Sequence, residues 1–266
     1  MFITLLTDFG LSDNFAGVVK GVIYAINPKV KIIDICHNIR PGDIFQAAFL
    51  LKSSYQYFPP GTIHLVVVDP GVGSKRRIII AKTKRYYFIG PDNGVLSLAL
   101  GTGDQVSNIV CLDNQNFFLK PVSHTFHGRD IFAPVAAYLS RGIDLVKFGR
   151  PQKKYREINF PQPRIISQAG KNRKALEGEI IYIDRFGNLI TNISREAFEI
   201  FIAKKKFRIS LGKKAINRIS KNYLATGKNK PLAIFGSYGN LEISVSCGNA
   251  SDYFGASKQA KLRVTA

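Results

Sequence analysis

Three short segments carry side chains able to bind or activate a small polar molecule: Thr7-Asp8-Phe9-Gly10, Asp69 to Arg76 (DPGVGSKR) and Thr125 to Asp130 (TFHGRD). The first two follow the apolar runs FITLLT and TIHLVVVD, which read as strands, and open α/β sheets bind ligands beyond the carboxyl ends of their strands. A carboxylate at Asp8 can accept both hydrogen bonds of a ribose diol, and an Asp at a strand end is also a common turn former. Gly71 and Gly73 let main chain approach a ligand closely. Their spacing is not that of a Walker A loop, so phosphate cradling is not expected. Residue chemistry leaves two readings of Asp69, Arg76 and His127. They form an ion pair bracing a turn, with His127 capping the next helix, or they converge on one water molecule as carboxylate, guanidinium and imidazole.

These groups need a scaffold, and the first half of the chain alternates strand and helix signals in the manner of an α/β layer fold. Phe2–Thr7 reads as a buried strand, and Asp13 is placed to cap a helix in which Phe15, Val18, Val19, Val22 and Ile23 recur at helical spacing. Val30–Ile35 is a second strand, Asp43 opens a second helix, and Thr62–Asp69 is an unbroken apolar run suited to a parallel strand covered on both faces. Arg77–Gly90 reads as a hairpin turning at Thr83-Lys84-Arg85, and Asp130–Leu139 as a helix with Pro134 in its first turn. Gly149 to Gly170, rich in Pro, Lys and Gln, is the expected boundary. Beyond it EIIYID, FRISL, PLAIF, NLEISV and KLRVT are short, turn-separated strands. The expected organisation is an α/β domain with a mostly parallel sheet over residues 1–155, then a smaller all-β, barrel-like domain over 170–266.

Composition narrows the partners. The 266 residues have 45% hydrophobic content, enough for a sizeable core. The opening MFITLLTDFG has no basic stretch and its apolar run stops at Asp8, so a signal peptide or membrane span is not expected and a cytoplasmic location is. Cys36, Cys111 and Cys247 are odd in number and far apart, which argues against a disulfide framework or cysteine zinc site and for reduced structural thiols. Lys and Arg exceed Asp and Glu by 38 to 18, a net charge of +20 that raises the question of a nucleic-acid partner. The cations are dispersed in clusters at Lys75–Arg77, Lys153–Arg156, Lys171–Lys174 and Lys204–Arg208 rather than gathered in one arm, so a solvated surface is expected and a nucleic-acid partner is not.

Read together, TDFG at Thr7, VVVDPGVGSKRR at Val66–Arg77, GPDNGVL at Gly90–Leu96, TFHGRDIFAP at Thr125–Pro134, DRFGNLITNI at Asp184–Ile193, and SYGNLEI with GNA in the last quarter resemble the S-adenosyl-L-methionine (SAM) hydroxide adenosyltransferase family. That family is related to the adenosyl-fluoride and adenosyl-chloride synthases. The resemblance implies hydrolysis of SAM to adenosine and methionine, with Asp69, Arg76 and His127 as a water-activating triad and Asp8 holding the ribose hydroxyls. It implies that Asp184 pairs with the methionine ammonium, that Phe186 and Asn188 lie at adenine together with Asn249 and Ala250, and that Ser237 contacts the methionine carboxylate. Tyr238 stands where the halogenases often carry Arg. The resemblance further implies a homotrimer with interfacial active sites, SAM as substrate, and neither cofactor nor metal. Halogenation is the competing expectation, with a basic nucleic-acid-binding protein without catalysis behind it. The halogenases differ by an aromatic residue in place of Asp69 and a long insert where Ile80–Gly90 here is one tight hairpin.

Overall fold

In a computed structural model, which describes residues 1–101, 103–167 and 174–266, neighbouring residues of the central N-terminal strands point into different cores. The chain forms two compact units, Met1–Asn159 and Phe160–Ala266. In the first, strands β1 (Phe2–Thr7), β2 (Lys31–Cys36), β3 (Ile63–Val67), β4 (Ile78–Thr83), β5 (Tyr87–Pro91), β6 (Val106–Leu112) and β7 (Gly149–Gln152) build a seven-stranded sheet in the order β2-β1-β3-β5-β4-β6-β7. Strands β2, β1, β3 and β5 run parallel, and β4, β6 and β7 add on antiparallel.

Helices α1 (Phe15–Ile26), α2 (Ile44–Ser54), α3 (Ser97–Leu100) and α4 (Ala133–Ser140) cover the two faces. Leu5, Leu65 and Val67 pack with Val19 and Ile23 of α1 and Val135 and Leu139 of α4. Their neighbours Leu6, Val66 and Val68 pack instead with Ala47 and Leu51 of α2 and with α3. Because side chains alternate across a strand, the burial of every residue from Thr62 to Val68 means that this strand is covered on both faces.

Two local readings need correction. Helix α1 is not capped by Asp13: its N-cap is Asn14, held in the right-handed helical region, and no side-chain capping bond forms. The segment after His127 opens as a π turn over Gly128–Phe132, with α4 following and Pro134 in its first turn. Within that turn the Asp130 carboxylate accepts hydrogen bonds from Ser123 N (2.8 Å) and Arg129 Nε (2.6 Å).

The second unit holds β8 (Arg164–Ser167), β9 (Lys174–Ile183), β10 (Leu189–Ser194), β11 (Arg208–Leu211), β12 (Lys214–Ile216), β13 (Pro231–Phe235), β14 (Asn240–Val245) and β15 (Lys261–Thr265), with helices α5 (Arg195–Ile202) and α6 (Ala250–Phe254). The order is β12-β11-β15-β9-β10-β14-β13, antiparallel throughout, with β8 also on β9. Ser220 N donates to Ala233 O, and Ile219 bridges Ala233, so the segment after β12 joins the far edge at β13 and the sheet curls toward a barrel. Phe198, Leu241, Ile243 and Leu262 lie in its core. Residues 168–173, which include most of the Lys171–Lys174 cluster and the end of the expected boundary, lie outside the described residues. The three cysteines are free, and Cys247 is exposed rather than packed.

Candidate active site

The chain leaves β1 toward α1 and β2 on one side, then crosses to β3 on the other, so β1 and β3 meet where the strand order reverses. Thr7 pairs with Val67, which brings Asp8 and Asp69 off neighbouring parallel strands at the same end. This is the crevice position of doubly wound sheets.

Asp69 and Arg76 close their own loop. Arg76 Nε lies 2.6 and 2.8 Å from the two Asp69 oxygens, and Nη2 donates to Oδ2 as well. The side chains are only 11% and 5% exposed, so this charge-assisted pair is sheltered from bulk water. Arg76 Nη2 also sits 2.9 Å from His127 Nδ1, which joins the third segment to the second. His127 makes no side-chain capping bond to the turn that follows, so its ring faces the guanidinium instead. Burial, and then the Arg76 cation, hold its pKa below the ordinary histidine value, against the opposing pull of Asp69, Asp130 and a hydrogen bond to the Ser123 main chain. The imidazole is therefore neutral at pH 7.

Glycines set how closely these loops meet. Gly73 has φ +77°, and a Cβ there would stand 2.3 Å from the His124 carbonyl oxygen, so only glycine lets the Asp69–Arg76 loop lie against the His127 loop. Phe9 and Phe126 meet edge to face at 5.8 Å, tying the TDFG turn to the same loop. Asp8 Oδ2 accepts from Gly42 N at 2.8 Å, and Gly42 in turn abuts Pro70. In the GPDNG turn, Asn93 Nδ2 donates to Val68 O at 2.9 Å and steadies the strand end just before Asp69. Asn93 falls inside a quoted motif, but nothing in its sequence neighbourhood shows that it reaches β3.

In the second unit, Asp184 braces its own turn. Its Oδ1 accepts from Phe186 N and Asn188 N, both at 2.9 Å, and Oδ2 accepts from Asn188 Nδ2 at 2.9 Å. A carboxylate has about four lone-pair sites, so Asp184 retains capacity for one more donor. Gly187, with φ +81°, sits directly under Asn249, whose Oδ1 would stand 2.0 Å from a Cβ there. Asn249 also caps α6 through Asp252 N at 3.1 Å, and Ala250 is fully buried. Phe186 is 76% exposed and Ser237 is exposed.

One group escaped the sequence reading. Glu242 is 4% exposed, accepts from Ser244 Oγ at 2.8 Å, and is hydrogen-bonded to Tyr223. Burial raises the Glu242 pKa, Ser244 and Tyr223 oppose the rise, and Asp184 adds to it. Burial and then Glu242 push Tyr223 up to about 12, and burial with Asp184 and Glu242 raises Tyr238. Asp184, Glu242, Tyr223 and Tyr238 thus form one electrostatically coupled group of two carboxyl groups and two neutral phenols. The sign in the sequence is an acidic residue between Leu241 and Ile243 of the strand NLEISV.

Two family models cover both units: the SAM hydroxide adenosyltransferase N-terminal domain matches residues 3–149 and the C-terminal domain residues 178–263. The chain belongs to the SAM hydroxide adenosyltransferase family. It is 34% identical over 265 residues to the (R)-S-adenosyl-L-methionine hydrolase of Salinispora tropica, covering 100% of this chain and 98% of that protein. The protein of the same name from Methanocaldococcus jannaschii is 36% identical over 262 residues, 94% of this chain and 90% of its own. Among solved structures, an uncharacterized conserved protein from Thermotoga maritima superposes with a TM-score of 0.89 at 36% identity, over 98% of this chain and 99% of the other. Both family domains are thus present in one chain, in the order in which the quoted motifs run.

Proposed function

We propose that this member of the SAM hydroxide adenosyltransferase family hydrolyses SAM to adenosine and L-methionine. The observation that carries the reading is the Arg76 guanidinium held between Asp69 and His127 at the strand ends, in a chain whose full-length relatives are named SAM hydrolases.

The substrate is a sulfonium. Attack of hydroxide on the ribose C5′ forms the C5′–O bond as the C5′–S bond breaks, the electron pair leaves on a neutral thioether, and charge is destroyed in the transition state. A site sheltered from bulk water favours that step. The obstacle is the nucleophile, since bulk water has a pKa of about 15.7. Arg76, permanently cationic, stabilises the developing hydroxide. Asp69 takes up the proton that the water gives up, while the neutral His127, whose Nδ1 lone pair is engaged by Arg76, keeps the guanidinium aimed at that water. Fixing that water in line with the C5′–S bond makes the step effectively unimolecular.

In the same reading Asp8 takes the ribose hydroxyls, Asp184 the methionine ammonium and Ser237 its carboxylate, while Phe186, Asn188, Asn249 and Ala250 frame adenine. The assignment to Asp184 is supported by its remaining acceptor capacity. SAM is itself the substrate, and the reading assigns neither cofactor nor metal. It also places the enzyme in the cytoplasm as a homotrimer. No helix among the described residues is long and apolar enough to cross a membrane.

The test is product identification after incubation with SAM, with and without chloride or fluoride. Adenosine and methionine in equal amounts under every condition support hydrolysis. A 5′-halogenated nucleoside, or no turnover at all, would refute it. Light scattering checks the assembly, which should have three times the chain mass.

A further inference from the structure

A carboxylate–imidazole–hydroxyl chain lies behind the Asp8 turn, and no step of the proposed reaction uses it. His37, 4% exposed, follows β2 and meets three polar partners. Its Nδ1 lies 2.8 Å from Thr7 Oγ1, and its carbonyl accepts from Gly10 N at 2.8 Å. Its Nε2 lies 3.1 Å from Asp34 Oδ1, at an angle too oblique for a well-formed hydrogen bond. Thr7 Oγ1 also accepts from Phe9 N at 3.3 Å, and Lys20 Nζ donates to Asp34 Oδ2 at 2.6 Å.

One assignment of protons agrees with these contacts. The Asp34 carboxylate favours a proton on the nearer nitrogen, Nε2, which leaves Nδ1 a lone pair for the Thr7 hydroxyl. The Thr7 oxygen is then free to accept from Phe9 N. Thr7 itself is 1% exposed, so its hydroxyl is no nucleophile for a ligand in solution. What the chain does is hold main chain. Through the Thr7 side chain, the Phe9 amide and the Gly10 amide it pins the residues on either side of Asp8. The Asp8 carboxylate itself accepts a hydrogen bond from Gly42 N.

We propose that His37 is a positioning residue: with Asp34 and Thr7 it fixes the TDFG turn so that Asp8 presents its carboxylate to a vicinal diol. This rests on the reading of Asp8 as the ribose ligand. A ligand group displaced by about 1 Å can cost about 10²-fold in rate or affinity, so a turn with this many independent restraints is suited to such a task.

The readout is the ratio of affinities for adenosine and 2′,3′-dideoxyadenosine, measured by calorimetry, together with KM and kcat for SAM. A ratio isolates the diol contact, because a general loss of packing weakens both ligands alike. The wild type should prefer adenosine by at least about tenfold, the worth of a hydrogen bond to a charged group. Asp8→Ala should abolish the preference. His37→Ala and Thr7→Val should reduce it severalfold and raise KM more than they lower kcat. Thr7→Ser, which keeps the hydroxyl, and His37→Asn, whose amide oxygen takes the place of Nδ1, should restore most of it.

If Asp8→Ala leaves the ratio unchanged, the ribose reading of Asp8 fails and this inference falls with it. If Asp8→Ala removes the preference while His37→Ala and Thr7→Val retain it, the inference alone is overturned. Should His37→Ala not fold, the near-isosteric Thr7→Val and Thr7→Ser pair decides the matter: a preference lost in the first and kept in the second supports it, and wild-type preference in both overturns it.

Discussion

Arg76 Nη2 lies 2.9 Å from His127 Nδ1, so a permanent cation faces the nitrogen of a ring that must offer it a lone pair. The contact fixes the histidine tautomer, with its proton on Nε2, and disfavours a second proton. Asp69 grips the same guanidinium from the other side, so the three side chains form a unit whose members orient one another.

A unit of this kind should respond non-additively. Asp69→Ala, Arg76→Ala and His127→Ala should each lower kcat by about 10²- to 10⁴-fold while KM changes little. The Asp69→Ala/Arg76→Ala double variant should lose scarcely more than the worse single variant, as steady-state kinetics would show. Losses that multiply would mean that the residues act independently.

The charge relation sets a pH dependence. Burial and Arg76 hold the His127 pKa below 6.5, so the neutral ring persists into mildly acid solution. Imidazole NMR should show His127 titrating below that value. In Arg76→Gln the cation is gone and the titration should move upward, though burial keeps it from rising far. A downward move would contradict the assigned contact.

Gly73 should tolerate no side chain. Its positive φ costs an L-residue about 1–2 kcal/mol, and the methyl group would collide with the His124 carbonyl. Gly73→Ala should therefore lower the urea midpoint and also reduce kcat, because relief of the clash parts the Arg76 and His127 loops. Retention of full activity would place the loops less tightly together than described.

His64 supplies a separate test of the scaffold. It is fully buried among Tyr55, Tyr86 and Phe88, its Nδ1 is 2.8 Å from Thr4 Oγ1, and burial pushes its pKa down to about 3 from 6.5. Below pH 6.5 the unfolded chain takes up a proton that the folded chain refuses. The contribution to stability is complete above that pH and declines as pH falls, by about 1.4 kcal/mol per unit. Denaturant unfolding at pH 7.5 and pH 5 should differ by about 2 kcal/mol more in the wild type than in Thr4→Val/His64→Leu, which leaves no orphaned hydroxyl. Equal differences in the two proteins would show that His64 protonates freely in the native state.

Much of the scaffold could be read from residue order because its signals are local. The two-sided burial of Thr62–Asp69, the hairpin turning at Lys84 and the Asp43 cap, whose Oδ1 accepts from Gln46 N at 2.9 Å, each depend on neighbours within a few residues. Strand β10 carried no such signal. LITNI is buried at every position, and its polar Thr191 and Asn192 find partners at Leu241 and Pro161, far along the chain. Helix α5 likewise lacks a local signal strong enough to read, although Ser194 caps it through Ala197 N at 3.1 Å, because its eight residues make only about two turns. The site divides in the same way. The types of Asp69, Arg76 and His127 could be proposed from motif order, whereas the tie from Thr7 to His37, the abutment of Gly42 on Pro70 and the burial of Glu242 depend on contacts between distant segments that no local pattern encodes.

The most direct measurement is a turnover in water enriched in oxygen-18, with mass analysis of the nucleoside and of methionine. Attack at C5′ predicts adenosine carrying one heavy oxygen in its 5′-hydroxyl, unlabelled methionine and no free adenine, with the labelled product falling in step with kcat in Arg76→Lys, where the bidentate fork is lost. Unlabelled adenosine, or adenine released by cleavage at the glycosidic bond, would contradict the account.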